Sequence, residues 1–243
     1  MDYAWYILGN GRRGYIERTI ASWLANLVDK PKYSYIFDDS GDPEHVKWLV
    51  SNYGQDFTVV PISSKVAGQA IAVQKIFDTL KELDVDYFLG IEEDWMLFRP
   101  LDVQSVIYEL CNNPHIIQMR VPRTVWHSEY HRLDLDAGSL LLHHLNDDKG
   151  QVAIKRDHWY ETRGHFYFWA HNPSVFHRRV LDNKYPNTPS HEYDFGIQLL
   201  KLDSSATVGF WADNPYDGYI THIGFRDEQL LKSLPRLHGW AHG

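Results

Sequence analysis

The first 110 residues alternate between short apolar runs and amphipathic stretches, and this alternation constrains the fold more than any other feature. Aromatic and β-branched runs predict four strands, and the stretches between them carry apolar residues at helical spacing. The predicted strands are residues 3–8, 33–37, 57–60 and 87–91. Strands joined by helices require right-handed crossovers and a mostly parallel sheet. We therefore predict an α/β fold with a Rossmann-like, mostly parallel central sheet flanked by helices.

The second half of the chain has a weaker pattern. It predicts a helix at 103–110 and a strand at 116–119, followed by a polar, histidine-rich and irregular stretch at 120–165. That stretch is expected to form a lid or an acceptor platform. Asn172-Pro173 is typical of a helix start, and we predict a helix from there to about Leu181. The remaining predictions are a helix starting near Glu192 and strands at 166–169, 208–211 and 219–221.

Composition excludes several classes of protein. The chain has 243 residues, of which 44% are hydrophobic, so one large domain can bury a full core without cross-links. A single cysteine, Cys111, excludes an internal disulfide and a cysteine-rich zinc site. The net charge of −8 argues against nucleic acid as the primary partner. An apolar run of about 18 residues is lacking and Met1-Asp2-Tyr3 does not begin a secretion signal, so we expect a cytoplasmic protein without a membrane span.

Polar clusters follow three of the predicted strands, at residues 10–13, 38–39 and 92–94. Because ligands of parallel α/β sheets bind outside the carboxyl ends of the strands, these clusters are expected to form one site. Glu92-Glu93-Asp94 places three carboxylates side by side, and these repel one another unless a cation lies among them. A divalent ion such as Mn²⁺ or Mg²⁺ suits such oxygen ligands. The alternative is a solvated acidic loop.

Further residues have a chemistry of their own. Arg12 and Arg13 follow the first strand at the start of a helix, where a guanidinium and the helix dipole both favour phosphate. Gly68 can admit close approach of a ligand to the backbone, and its alternative is a turn that leads into a helix. His127 and His131 have helical i, i+4 spacing, but the residues between them do not match a zinc-hydrolase pattern.

Several motifs in this order resemble those of one family. They are Arg13-Gly14-Tyr15, Asp38-Asp39-Ser40-Gly41, Gly68-Gln69-Ala70 and Glu92-Glu93-Asp94-Trp95, with later islands at 172–174, 192–196 and 221–224. The chain resembles the GT-A nucleotide-sugar glycosyltransferases, in particular the inverting family-two-like group, and does so best over the first 110 residues. The resemblance implies a single GT-A domain over 1–243. Residues 1–110 would bind the nucleotide sugar, and the smaller part at 111–243 would bind the acceptor and complete the metal site.

The resemblance also implies roles for individual residues. Asp94 would bind the metal, and Glu92 would face the ribose or the water ligands of the metal, although the family has Asp rather than Glu at this position. Glu93, within the same motif, belongs with the donor-binding residues. Asp38 would bind the base or ribose of the nucleotide with help from Asp39, and the alternative for both is a plain turn.

Two later positions complete the implied site. His222 would be a metal ligand, with His191 as the second choice, and an imidazole ligand shifts the preference from Mg²⁺ towards Mn²⁺. Glu192 would be the general base that takes the proton of the acceptor hydroxyl, with Asp194 second. The alternative for Glu192 is an acid that complements a helix dipole.

The sequence therefore predicts a metal-dependent glycosyltransferase. It would move a sugar from a nucleotide-diphosphate sugar to a hydroxyl acceptor, which is a glycan, a protein or a small molecule, with inversion of configuration. Two alternatives stay open, namely a non-catalytic nucleotide-sugar or glycan-binding protein of the same fold and a nucleotidyltransferase. Gly9-Asn10-Gly11-Arg12-Arg13-Gly14 partly fits the glycine-rich loop expected of the latter.

Overall fold

A computed structural model describes residues 1–63, 65–122, 152–163, 169–171, 173–213 and 218–223. The strands are β1 (Tyr3–Gly9), β2 (Tyr33–Asp38), β3 (Thr58–Pro61), β4 (Tyr87–Glu92), β5 (Trp95–Leu97), β6 (Ile116–Arg120), β7 (Val152–Lys155), β8 (Tyr160–Arg163), β9 (Ser174–His177), β10 (Thr207–Phe210) and β11 (Ile220–His222). The helices are α1 (Arg13–Asn26), α2 (Pro43–Tyr53), α3 (Gln69–Leu80), α4 (Val103–Asn112) and α5 (His191–Leu202), with a 3₁₀ turn at Arg178–Val180.

Nine of these strands form the central sheet, in the order β3-β2-β1-β4-β9-β6-β10-β8-β7. The pairings make β8 and β9 antiparallel to their neighbours, so the other seven strands all run in one direction. The predicted α/β class with a mostly parallel sheet is confirmed. β5 and β11 form a separate two-stranded antiparallel sheet.

Both faces of the central sheet are covered, and β1 shows why. Tyr3, Trp5 and Ile7 pack into the core on one face, whereas Ala4 and Tyr6 pack into the core on the other. Successive residues of a strand point to opposite faces, so a strand in the middle of a two-sided sheet is apolar throughout. The buried sheet thus provides a rigid base for the loops at its ends.

The helix predicted from Asn172-Pro173 to Leu181 is wrong. Ser174–His177 is instead β9, which pairs antiparallel with both β4 and β6, and one 3₁₀ turn follows it. The side chains of Val175 and Phe176 are buried on opposite faces of the sheet. Pairing on two edges and burial on two faces override a local helix-start signal.

Residues 120–165 were expected to be irregular, but the described part of this stretch contains β7 and β8. These strands form an antiparallel pair at the far edge of the central sheet, next to β10. Residues 123–151, with His127 and His131, and most of the strand predicted at 166–169 lie outside the described residues. Within the described ranges, the helices are too short or too polar to cross a lipid bilayer.

Candidate active site

The three polar clusters meet at one edge of the sheet. β1 lies between β2 and β4, and the register places Gly9 opposite Asp38 and Leu8 opposite Glu92. Two backbone bonds extend the pairing beyond the strand ends, from Asp39 N to Gly9 O at 2.8 Å and from Glu93 N to Leu8 O at 3.0 Å. The convergence expected from a parallel sheet is therefore present.

Arg12 joins the first cluster to the acid loop, which we define as residues 92–94. Gly11, with a φ of +84°, turns the chain between β1 and α1 and places Arg12 at the N-cap of the helix. Arg12 Nε lies 2.5 Å from Glu93 Oε1, and Arg12 Nη2 lies 2.9 Å from Asp94 Oδ2. Glu93 is 1% exposed and Asp94 is buried too, so one guanidinium contacts two carboxylates that are largely held out of water.

His222 reaches the acid loop from the other end of the chain. β5 directly follows the loop, and β11 pairs with β5 so that His222 lies opposite Trp95. His222 Nε2 lies 3.2 Å from Asp94 Oδ2, and Ile223 N donates to Asp94 O at 2.8 Å. Burial opposes ionisation of Asp94, but His222 and Arg12 outweigh it and hold the pKa of this carboxyl below its ordinary value.

The pKa of Glu92 is raised, whereas that of Asp94 is lowered. Glu92 is partly buried at the end of β4, and Gln69 Nε2 donates to its Oε1 at 3.0 Å. Burial, followed by the charges of Asp94 and Glu192, raises the pKa of Glu92 to about 8. Its surroundings therefore favour the neutral carboxyl, which can donate a hydrogen bond, more than water does.

The cluster at the end of β2 has a structural role. Asp38 is buried, and it accepts a hydrogen bond from Ser40 Oγ at 2.6 Å. His45 Nε2 lies 3.5 Å from the other carboxylate oxygen of Asp38. Asp39 accepts from the backbone N–H groups of Ala67 and Gly68 at 2.9 and 3.2 Å. These bonds fix the loop that leads into α3.

Gly68 and Arg13 occupy different surroundings. Gly68 caps α3 with a φ of +83°, and a Cβ built there meets no described atom within 4 Å, so the backbone is open to a ligand. Arg13 donates to Glu44 O at 3.4 Å and lies over the ring of Trp48, away from the acid loop. Of the two predicted arginines, the structure therefore brings Arg12 to the acid loop and not Arg13.

Glu192 lies in the first turn of α5. It accepts a hydrogen bond from His171 N at 2.7 Å, and its charge contributes to the raised pKa of Glu92. Asp194, in the same turn, accepts from Thr188 Oγ1 at 2.5 Å. The structure thus brings Glu192 into the electrostatic environment of the acid loop, and it gives Asp194 a partner on the loop before α5.

Sequence reasoning missed the surroundings of Glu192. His171 Nε2 lies 2.6 Å from Tyr185 Oη, which lies 2.9 Å from His191 Nδ1, so a chain of hydrogen bonds holds the segment that binds Glu192. Arg120 is fully buried, and desolvation lowers its pKa to about 10 against the opposing effect of Glu192. The sequence offers one clue to these surroundings, because Arg120 ends the mostly apolar run of β6.

Two of the predicted metal ligands, Asp94 and His222, are in contact. A carboxylate oxygen and an imidazole nitrogen suit Mn²⁺, and such ions commonly take their remaining ligands from water and substrate phosphates. Across the described ranges, three or more histidine, cysteine or acidic side chains are not grouped in a way that would hold a metal. At this position the described residues therefore bring together one carboxylate and one imidazole.

No protein-family model matches the sequence, and the search of curated proteins found no match either. Solved structures do match. The fold is similar to TarS 1–349 from S. aureus, a glycosyltransferase, with a TM-score of 0.56 and 12% identity over 90% of this chain and 60% of that one. It is also similar to the mannosyltransferase PcManGT from Pyrobaculum calidifontis in complex with GDP-Man and Mn²⁺, with a TM-score of 0.52 and 12% identity over 82% and 52% of the two chains.

A third match is CMP:2-keto-3-deoxy-manno-octonic acid synthetase complexed with CTP. Here the TM-score is 0.50 at 9% identity, over 87% of this chain and 89% of that one. The chain spans less than two thirds of the glycosyltransferase structures but most of the synthetase. At such low identity these matches define the fold, and the predicted GT-A-like fold is confirmed.

Proposed function

We propose that the chain is a metal-dependent glycosyltransferase that moves a sugar from a nucleotide-diphosphate sugar to a hydroxyl acceptor with inversion. The observation that carries the proposal is the contact between Asp94 and His222 at the carboxyl edge of a GT-A-like sheet. These residues are far apart in sequence, and a separate two-stranded sheet brings them together. In open α/β sheets, ligands bind at this edge.

The donor would bind along the ends of β1, β2 and β4. Asp38 would face the nucleoside, the open backbone at Gly68 would admit it, and Arg12 would face the diphosphate with Arg13 farther out. Asp39 supports the site by holding the Gly68 loop. In this proposal residues 1–110 bind the donor, and residues 111–243 bind the acceptor and contribute His222.

Asp94 and His222 would hold the divalent cation, with Glu92 next to its water ligands. When bound, such an ion offsets the negative charge that develops on the leaving diphosphate. Glu192 would accept the proton of the acceptor hydroxyl as that oxygen attacks the anomeric carbon and the bond to the diphosphate breaks. Attack on the face opposite the leaving group gives inversion. The anchoring of Glu192 by His171 N supports this role, since a base must be held in position.

The test is calorimetry with UDP-GlcNAc, UDP-glucose and GDP-mannose in the presence of Mn²⁺, followed by mass spectrometry of mixtures with candidate acceptors. We expect one donor to bind in a manner that a chelator reverses, and a glycosylated product with release of nucleoside diphosphate. Binding without any product across a broad acceptor panel would favour the non-catalytic alternative. Absence of binding by every nucleotide sugar would contradict the proposal.

A nucleotidyltransferase is the second candidate, and the CTP-bound neighbour that covers most of the chain favours it. The two reactions leave different products, because a nucleotidyltransferase consumes a nucleoside triphosphate and releases pyrophosphate. Pyrophosphate release from CTP or UTP with a sugar acid or sugar phosphate would select this alternative. Against it, the glycine-rich loop at residues 9–14 is only a partial fit to the one expected of this class.

A further inference from the structure

Arg12 and the proposed cation would both bind the same oxygen atom, Oδ2 of Asp94. Asp94 Oδ2 lies 2.9 Å from Arg12 Nη2 and 3.2 Å from His222 Nε2. An ion held between Asp94 and His222 would lie about 2 Å from that oxygen, in the space that the guanidinium now borders. Two cations this close repel strongly in a site with little water.

The acid loop itself needs a positive charge in the absence of metal. Glu93 Oε2 is buried and has no hydrogen-bond partner among the described residues, although Glu93 Oε1 is paired with Arg12. Burial of a carboxylate without a nearby cation is costly, so a counter-ion beside the loop stabilises it. Arg12 supplies that counter-ion in the protein without metal.

We propose that Arg12 is the built-in counter-ion of the acid loop and that a divalent cation binds Asp94 by displacing its guanidinium. Arg12 thereby sets the cation affinity of the site. The inference rests on the metal site of the proposed function, but it concerns cation binding in the absence of any donor. It also gives Arg12 a second position, in which the released Nη2 group is free for the diphosphate.

The surroundings of Arg12 permit the displacement. The carboxylates are buried, but the Arg12 side chain is 43% exposed, so its outer nitrogens reach solvent. Its guanidinium lies 4.9 Å from the centre of the Tyr15 ring. Because the guanidinium is planar and rigid, Nη2 leaves Asp94 together with a change in the Nε contact with Glu93. The exchange therefore requires rotation of the end of one side chain and leaves the backbone in place.

The test is direct titration of Mn²⁺ by electron paramagnetic resonance, without nucleotide and at one fixed pH. Arg12→Gln should bind Mn²⁺ roughly 10-fold tighter than the wild type, since a charge-assisted competitor for Asp94 is lost. Arg18→Gln is the matched control. Arg18 lies on the same helix and over the same Tyr15 ring, but it donates to Gly14 O. Arg18→Gln should leave the Mn²⁺ affinity unchanged, although it removes the same charge as Arg12→Gln.

Arg12→Lys keeps the charge and should stay closer to the wild type than Arg12→Gln. Equal or weaker Mn²⁺ binding by Arg12→Gln, or equal tightening by Arg18→Gln, would overturn the inference. Circular dichroism verifies folding of each variant. If Arg12→Gln does not fold, Mg²⁺ titration of the wild type must shift the Arg12 Nε–H resonance and spare that of Arg18, and an unmoved Arg12 signal at saturation would refute displacement. Failure of the proposed function would instead appear as absence of nucleotide-sugar binding.

Discussion

Asp94 is the residue on which most of the site depends, because it contacts both Arg12 and His222. We predict that Asp94→Asn reduces Mn²⁺-dependent donor binding by roughly 100-fold or more, since a neutral amide is a far poorer ligand for a hard cation. Isothermal titration with donor and Mn²⁺ measures the loss. Asp84→Asn is the control, because Asp84 is an exposed partner of Lys32 on the other side of the molecule. Undiminished binding by Asp94→Asn in excess chelator would contradict the assignment.

His171 makes the stability of the folded protein depend on pH. Burial lowers the pKa of His171 to about 4 from 6.5, so the unfolded chain binds more protons than the folded one between these values. Stability is therefore present above pH 6.5 and is lost as the pH falls towards 4. We expect this one group to account for about 3 kcal/mol of the loss.

Urea unfolding at a series of pH values tests the effect in the wild type and in His171→Gln. The glutamine keeps a polar partner for Tyr185 but does not titrate. The free energy of unfolding of His171→Gln should therefore fall less steeply below pH 6.5 than that of the wild type. The slope is the readout, because lost packing lowers stability at every pH alike. Parallel curves for the two proteins would mean that His171 titrates normally in the folded state.

Individual site residues were predictable where one strand end dictated their position. Asp38, Glu92 and Asp94 lie at the carboxyl ends of β2 and β4, which both pair parallel with β1, so their convergence follows from the parallel sheet. The anchoring of Glu192 by His171 was not predictable, because it depends on a loop that packs against α5 through Tyr185. The same holds for Arg12, whose choice of partner depends on the turn at Gly11.

At the scale of elements, the β2–α2 connection supports the donor side. Gly41 has a φ of +68°, and a Cβ built on it lies 2.7 Å from the Lys65 backbone. We predict that Gly41→Ala lowers the free energy of unfolding by about 1–3 kcal/mol, since it adds backbone strain and a clash. It should also weaken donor binding, because the displaced segment carries the amides that bind Asp39.

Gly14→Ala serves as the control for this substitution. Gly14 lies in α1, and a Cβ there contacts no described atom within 4 Å, so alanine should leave stability unchanged or raise it by up to about 1 kcal/mol. Chemical unfolding and donor titration of both variants provide the comparison. Equal stability of the two variants would show that the turn at Gly41 tolerates a side chain.

Elements with a strong periodic pattern were predictable, and those defined by their partners were not. β1, β2 and β4 are apolar on two faces, so they are evident from sequence alone. β5 has only three residues and exists because β11 pairs with it, and this pairing also delivers His222 to Asp94. β9 was predicted as a helix, because the gap between β4 and β6 that it fills is a property of the whole sheet.

At the scale of the whole molecule, the proposed site joins the two ends of the described chain. Arg12 and Asp38 come from its first strands, Glu192 and His222 from its last elements. A ligand bound between them stabilises the folded protein by mass action. A nucleoside diphosphate with Mn²⁺ at about 100 times its dissociation constant adds about 2.7 kcal/mol, which for a chain of this size is a shift in Tm of about 5–11 °C.

Measuring this shift in Tm for Glu192→Gln separates donor binding from glycosyl transfer. A base that contacts the acceptor has no part in holding the donor, so the variant should show the wild-type shift with nucleoside diphosphate and Mn²⁺. Its glycosyl transfer should nevertheless fall by about 10²–10⁴-fold, the usual contribution of general-base catalysis. Glutamine also retains an oxygen that can accept the hydrogen bond from His171 N, so the loop stays anchored. Loss of the thermal shift would instead make Glu192 a structural acid at the start of α5, and the base would have to be sought elsewhere.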